Sequence, residues 1–334
     1  MDNKIKLSHG DGGIHTHQLI NDVFYKYYGS PAAMGTPDSF VFNHTDSCKL
    51  AYTTDSFVVK PLFFRGGDIG KLAVCGTVND LAACGAMPLY LSAAFLIEEG
   101  FSIEMLCGIA KSMGEVCRHT GTRIVTGDTK VVEKGSLDGI FINTSGIGVV
   151  SGFYEPRQVE PGDELIITGG IAEHGTCILI DRYELDIITG LESDCAPMCN
   201  LVSGLQEELK YIKLMKDPTR GGIAMVLNEI TRGSGIDIEL YEECIPVKSE
   251  VQAINDMLGI DPMYLACEGR MLIAVQKGYG ESILQHIKTL NNCREARIIG
   301  KFASGSHGMV YMNTRIGGRR IIPVLEGNIL PRIC

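Results

Sequence analysis

Glu155-Pro156-Arg157-Gln158-Val159-Glu160-Pro161-Gly162-Asp163 breaks an otherwise regular succession of strand-like and helix-like segments. Proline removes a backbone donor and cannot continue a helix, and glycine frees the chain, so this stretch reads as a connection between two folded units. A clear strand follows at once, Glu164-Leu165-Ile166-Ile167-Thr168. Upstream, β-branched and aromatic runs at 40–42, 49–59, 89–96, 123–126 and 140–150 read as strands, with small-residue and amphipathic helices at 71–84 and 103–119, the second stopping near Gly121. Downstream, helices are expected at 175–181, 201–213, 221–231 and 280–290, and strands at 271–275, 297–300 and 308–312. A short helix over 19–28 precedes both units. The expected fold class is α/β (α+β). Its parts are an amino-terminal arm at 1–39, a first domain at 40–152, a second at 160–320 and a mobile tail at 321–334.

Composition narrows the function. The 334 residues are 45% hydrophobic, enough for about two cores. Forty acidic residues against thirty basic ones give a formal charge of −10, which disfavours nucleic acid and anionic membrane as partners but not small phosphorylated ligands held locally. No stretch approaches the roughly twenty apolar residues of a bilayer span, and the polar start lacks a signal core, so a cytoplasmic protein is expected. Most of the twelve cysteines sit in apolar runs and read as reduced, buried small side chains. Cys195 and Cys199 lack a matching second pair for zinc, and His9, His15 and His17 lie in a glycine-punctuated arm.

The candidate chemistry is spread along the chain. Gly66-Gly67-Asp68-Ile69-Gly70-Lys71 reads either as a phosphate-holding loop or as a tight turn, and it does not fit a P-loop, because Arg65 and Leu72 stand where glycine and serine or threonine belong. Asp55 at a strand end, Asp80 after Asn79, and Asp128 just after a strand read individually as caps or turn residues. Together they suit magnesium, which takes a few carboxylates plus water and substrate phosphate. Asp217-Pro218-Thr219-Arg220-Gly221-Gly222 leads into a helix whose amino end favours an anion, with Arg220 available for a bidentate contact. Glu268 stands at a strand entrance as a base or as an ion-pair partner of Arg270. Pro331-Arg332-Ile333-Cys334 ends on a thiol. Fourteen residues from Ile321 to Cys334 can sweep about 45–50 Å if extended, so this cysteine reads either as a group carrier or as a spectator. Its position is wrong for prenylation.

In this order, and over nearly the whole chain, Asp55, Gly66 to Lys71 with Asn79-Asp80, Gly127-Asp128-Thr129-Lys130 and Asp217 to Gly222 resemble the ATP-utilising superfamily of aminoimidazole ribonucleotide synthetase, selenophosphate synthetase and thiamine-monophosphate kinase. Gly127-Asp128-Thr129-Lys130-Val131-Val132 together with the terminal Pro-Arg-Ile-Cys is similar to the carbamoyl dehydratases of hydrogenase maturation. That resemblance implies a two-domain fold and a homodimer joined through the first domains. It also implies ATP-dependent conversion of a carbamoyl group on Cys334 into a thiocyanate that supplies the cyanide ligand of nickel-iron hydrogenase. The implied partners are the HypF carbamoyltransferase and the HypC–HypD complex. It places Asp55, Asp80 and Asp128 at magnesium, and Lys71, Asn79, Asn143, Asp217 and Arg220 at the nucleotide. The chemistry requires a base, for which Glu268 and Lys130 are the candidates beside Cys334. Asp46, in His44-Thr45-Asp46-Ser47, is a loose match to an expected acidic pair. Alternative readings are a small-molecule kinase or phosphate-activating synthetase, and a non-catalytic partner-binding scaffold.

Overall fold

The computed structural model describes residues 5–10, 13–28, 38–45, 48–232, 234–305, 308–325 and 332–334. Asp46 lies outside them. The arm is helical: α1 (Ile14–Leu19) continues through a π-helical turn, Ile20–Tyr25, into α2 (Lys26–Tyr28). A five-stranded sheet follows, made of β1 (Phe40–Thr45), β2 (Cys48–Phe57), β5 (Ala86–Glu98), β6 (Arg123–Val132) and β7 (Ile140–Val150) in the order β1-β2-β7-β5-β6. Only β5 and β6 run parallel. The short pair β3 (Phe63–Phe64) and β4 (Gly67–Asp68) leads into α3 (Ile69–Ala83), and α4 (Ile103–Thr120) joins β5 to β6.

Registers across this sheet decide what the site contains. Asp55, Thr144, Ala93 and Gly127 lie in one row, and Ser56, Asn143, Ala94 and Asp128 in the next. Side chains alternate between faces, so the two rows project to opposite sides. The first row faces α3, since Thr144 Oγ1 lies 2.5 Å from Thr77 Oγ1 and donates to the Ala73 carbonyl at 3.0 Å. α3 is buried nearly all round because small residues let it sink between the sheet and the rest of the protein; a Cβ at Gly76 would come within 2.8 Å of the Phe57 ring.

The second sheet contains β8 (Glu164–Ile167), β9 (Ile212–Lys216), β10 (Ile236–Tyr241), β11 (Leu272–Val275), β12 (Arg297–Ser304), β13 (Val310–Asn313) and β14 (Arg319–Ile321). Their order is β14-β13-β10-β12-β8-β11-β9, antiparallel except for β10 with β13. Helices α5 (Glu173–Arg182), α6 (Asn200–Leu205), α7 (Gly222–Thr231), α8 (Ser249–Leu258) and α9 (Gly280–Ile287) flank it. One apolar cluster runs through both halves, from Phe57 and Leu72 to Ile273 and Phe302.

Two expectations fail here. Residues 201–213 do not form one helix: α6 stops at Leu205, Gln206 turns to positive φ, and Ile212 begins β9 because β11 offers it a ladder. Asp128 does not follow a strand; β6 runs through it to Val132.

Candidate active site

The carboxylates gather where α3 meets the end of β2 and the loop after β9. Asp80 on α3 accepts a hydrogen bond from Thr53 Oγ1 at 2.7 Å, and Thr53 shares the inner face of β2 with Asp55. Burial raises Asp80 well above the ordinary carboxylate range, and the neighbouring Asp217, Asp55 and Asp38 raise it further. Burial likewise raises Asp55, against the pull of Arg220. Asp217 is pushed up to about 8, chiefly by burial and then by Asp38, while Lys216 opposes the shift. Lys216 itself is tied to Asp38 at 2.8 Å and Glu229 at 3.6 Å. This is a surplus of buried negative charge with its members repelling one another, the condition a divalent cation relieves.

The Asp217 to Gly222 turn is held by backbone contact. Cys267 N donates to the Pro218 carbonyl at 2.9 Å, and a Cβ at Gly222, where φ is +61°, would come within 2.6 Å of the Leu265 and Met263 carbonyls. Glycine is therefore required for the turn to lie against residues 263–267. Arg220 faces the carboxylates; the charge of Cys334, then of Asp55, Glu268 and Asp80, favours its guanidinium. Glu268 is fully enclosed, and its Oε1 has no hydrogen-bond partner among the described residues. Burial pushes its carboxyl well above the ordinary range, with Cys195, Asp194, Asp217 and Asp55 adding to the effect. Burial therefore favours the neutral form of Glu268.

The tail end enters this cluster backbone first. Val58 N donates to the Cys334 carbonyl at 3.0 Å and Lys60 N to the Arg332 carbonyl at 3.2 Å, the spacing of an antiparallel pair. Arg332 Nε donates to the Val58 carbonyl at 2.8 Å, its Nη1 pairs with Asp138, and its guanidinium lies 5.5 Å from the Phe141 ring centre. His174 Nε2 sits 2.8 Å from the Ile333 carbonyl, and Arg182 donates to the Arg332 carbonyl at 2.5 Å. The Cys334 side chain, half-buried, is partly packed against the main core. Burial raises its thiol strongly; Arg220 opposes this, while Glu268, Asp55 and Asp217 reinforce it.

Other expected site residues stand elsewhere. Asp128 and Lys130 pair at 2.8 Å on the exposed outer face of the sheet, and that pairing lowers Asp128. Three strand spacings, about 14 Å, and the sheet itself separate Asp128 from Asp55 in one chain. Among the described residues no three His, Cys, Asp or Glu side chains converge as a preformed metal site. Asn143 also belongs to the outer face, donating to Thr54 Oγ1, the Asp55 carbonyl and Ser56 Oγ. Asn79 uses its amide on protein backbone: Nδ2 donates to the Ala196 and Glu268 carbonyls at 3.1 and 3.2 Å, and Oδ1 accepts from Met198 N at 2.7 Å. The Gly66 to Lys71 segment is a capped turn. Asp68 accepts from Gly70 N and Lys71 N at 2.7 and 3.2 Å, so the helix amino end already holds an anion, and Lys71 Nζ donates to the Gly66 carbonyl. Asp38, His174, Asp194 and Lys216 were not anticipated as parts of this region.

Comparison with known proteins identifies the family of the chain. Residues 36–150 match the AIR synthase related protein, N-terminal domain, and residues 160–313 the AIR synthase related protein, C-terminal domain. The chain is 43% identical over 334 residues to the carbamoyl dehydratase HypE of Rhizobium leguminosarum bv. viciae, covering 99% of this chain and 95% of that one. It superposes on HypE from a HypE–HypF complex with a TM-score of 0.86 at 45% identity, over 92% of this chain and 99% of that one. On a hydrogenase maturation protein HypE in complex with ATP the TM-score is 0.82 at 38% identity, over 99% and 100%. With this likeness covering 99% of its length, the chain belongs to the HypE carbamoyl dehydratase family of AIR synthase related proteins.

Proposed function

We propose that this protein is an ATP-dependent carbamoyl dehydratase that converts a carbamoyl group on Cys334 into a thiocyanate for hydrogenase maturation. The observation that carries the reading is the seating of the terminal cysteine: its backbone is hydrogen-bonded to Val58 and that of Arg332 to Lys60, and its thiol feels Arg220, Glu268, Asp55 and Asp217 together. A spectator terminus needs no such seat.

The steps follow from the groups present. The carbamoyl oxygen on Cys334 is a poor leaving group; transfer of the terminal phosphoryl of ATP to it makes a good one. Arg220 neutralises charge on the transferring group. Loss of the remaining nitrogen protons then expels phosphate and leaves Cys334 bearing S–C≡N. Glu268 takes a nitrogen proton once it has itself ionised, and its raised pKa makes it a stronger base than an ordinary carboxylate. Magnesium supplies charge neutralisation at the phosphates; the clustered Asp55 and Asp80 suit it, with Asp217 close enough to feel both.

Asp128 and Lys130 require a second copy. We propose a homodimer through the outer face of the five-stranded sheet, where Phe40, Tyr52, Tyr90 and Leu96 are exposed. Asp128, Lys130 and Asn143 then act from that interface on the nucleotide. HypF delivers the carbamoyl group and the HypC–HypD complex receives the cyano group. No helix among the described residues is long and apolar enough to cross a membrane, and we place the protein in the cytoplasm.

The test is intact mass. Incubation with the carbamoyltransferase gives a carbamoyl adduct on Cys334, and ATP then removes one water. ATP turnover with a soluble acceptor that persists in Cys334→Ala refutes this reading in favour of a small-molecule kinase.

A further inference from the structure

His174 is fully buried at the start of α5, and both ring nitrogens are engaged. The Ile333 carbonyl can only accept, so Nε2 carries the proton and donates at 2.8 Å. Nδ1 must then accept from Ser193 Oγ at 2.8 Å, and Ser193 Oγ accepts in turn from Cys195 N at 3.1 Å. The tautomer is thus fixed by its partners. The Phe64 ring meets the imidazole edge-on at 5.2 Å, excluding water from it.

The main chain of the same residue reaches the other reactive group. His174 N donates to Asp194 Oδ1 at 2.9 Å, while Asp194 Oδ2 accepts from Glu268 N and Gly269 N, each at 3.0 Å. Its ring therefore fixes the tail one residue before Cys334, and its amide, through one carboxylate, fixes the backbone of Glu268. We infer that His174 is a positioning residue that sets the register between the Cys334 thiol and the Glu268 carboxyl when the tail is docked. This rests on the proposed dehydration, but the docking itself is measurable without it.

The experiment uses the full chain as His174→Leu, His174→Gln and Ser193→Ala. Glutamine keeps an N–H near the Nε2 position, and Ser193→Ala frees the tautomer while also removing the acceptor of Cys195 N. Cys334 alkylation by iodoacetamide, followed by the mass of the terminal peptide, reports undocking. Losing one neutral hydrogen bond and leaving its acceptor unpaired predicts about a tenfold rise in alkylation for His174→Leu. Dehydration of the carbamoylated protein falls by a similar factor, carbamoyl loading does not fall, His174→Gln recovers most of the loss and Ser193→Ala lies between. Wild-type alkylation and dehydration in His174→Leu overturn the inference, as does His174→Gln behaving like His174→Leu. If leucine prevents folding, wild-type alkylation and dehydration in Ser193→Ala overturn it. Raised alkylation with no dehydration in any protein, wild type included, supports the docking role and refutes the functional reading instead.

Discussion

Replacing Glu268 by glutamine separates the base from the scaffold. Burial favours the neutral form of the wild-type carboxyl, and its Oε1 has no partner among the described residues, so glutamine keeps the shape and the uncharged state. The Asp194 bonds go to backbone at Glu268 and survive the change. What is lost is proton abstraction, whose typical contribution of 10²–10⁴ in rate corresponds to about 3–5 kcal/mol of barrier. Purified Glu268→Gln is expected to bind ATP and accept the carbamoyl group, then to lose water 10²–10⁴ times more slowly by intact mass. In wild type the rate should rise with pH as the carboxyl ionises, and the variant should lack that limb. Stability supplies an independent arm. A carboxyl raised on folding contributes stability that is full below its ordinary value of 4.5 and is lost as pH climbs through the raised value. Glu268→Gln escapes that loss, so urea unfolding should show equal stability near pH 4 and a more stable variant at pH 8. Wild-type dehydration rates in Glu268→Gln refute the catalytic assignment; a variant that gains nothing at pH 8 refutes the buried neutral acid.

Arg332→Ala removes a bond to the Val58 carbonyl, an exposed pair with Asp138 and a stacking contact on Phe141, together about 2 kcal/mol and roughly thirtyfold in docking; Cys334 alkylation should rise while the melting temperature stays put. Asn79→Ala leaves one buried amide and two buried carbonyls without their partner, so urea unfolding should show a loss of about 3 kcal/mol even without nucleotide. Magnesium should raise the melting temperature by relieving the carboxylate cluster, and Asp80→Asn should abolish most of that rise. An unchanged magnesium response in that variant excludes Asp80 as a ligand.

Much of the scaffold was readable because its signals are local. Runs of β-branched and aromatic residues marked 49–59 and 140–150 as strands, and those two strands carry Asp55 and Asn143 to their rows. Asp128 was misplaced because β6 is an edge strand whose middle, Gly127-Asp128-Thr129-Lys130, is glycine and exposed polar residues, a composition that locally resembles a turn. Ile212-Lys213-Leu214-Met215-Lys216 suits a helix equally well until β11 pairs with it. Ile236 to Tyr241 does alternate, and that signal was available. His174 and Asp194 were not legible, because their partners are Ile333, 159 residues on, and Glu268, 74 residues on. Asp68 shows the reverse: a glycine-rich loop before a helix suggests a phosphate, and only the fold reveals that a side chain already fills the place.

The pairing of the last residues with Val58 and Lys60 makes the tail a tethered ligand of its own protein. A tether of this kind holds its ligand at a local concentration on the order of millimolar, so a handful of hydrogen bonds is enough to seat it. Any outside protein that must grasp Cys334 meets only the fraction of molecules whose tail is free, and its apparent dissociation constant rises in inverse proportion to that fraction. Tighter anchoring would favour the chemistry at the thiol and starve the exchange with partners. Grip through the backbone of the tail and the Arg332 side chain meets both demands, because it is indifferent to what the sulfur carries.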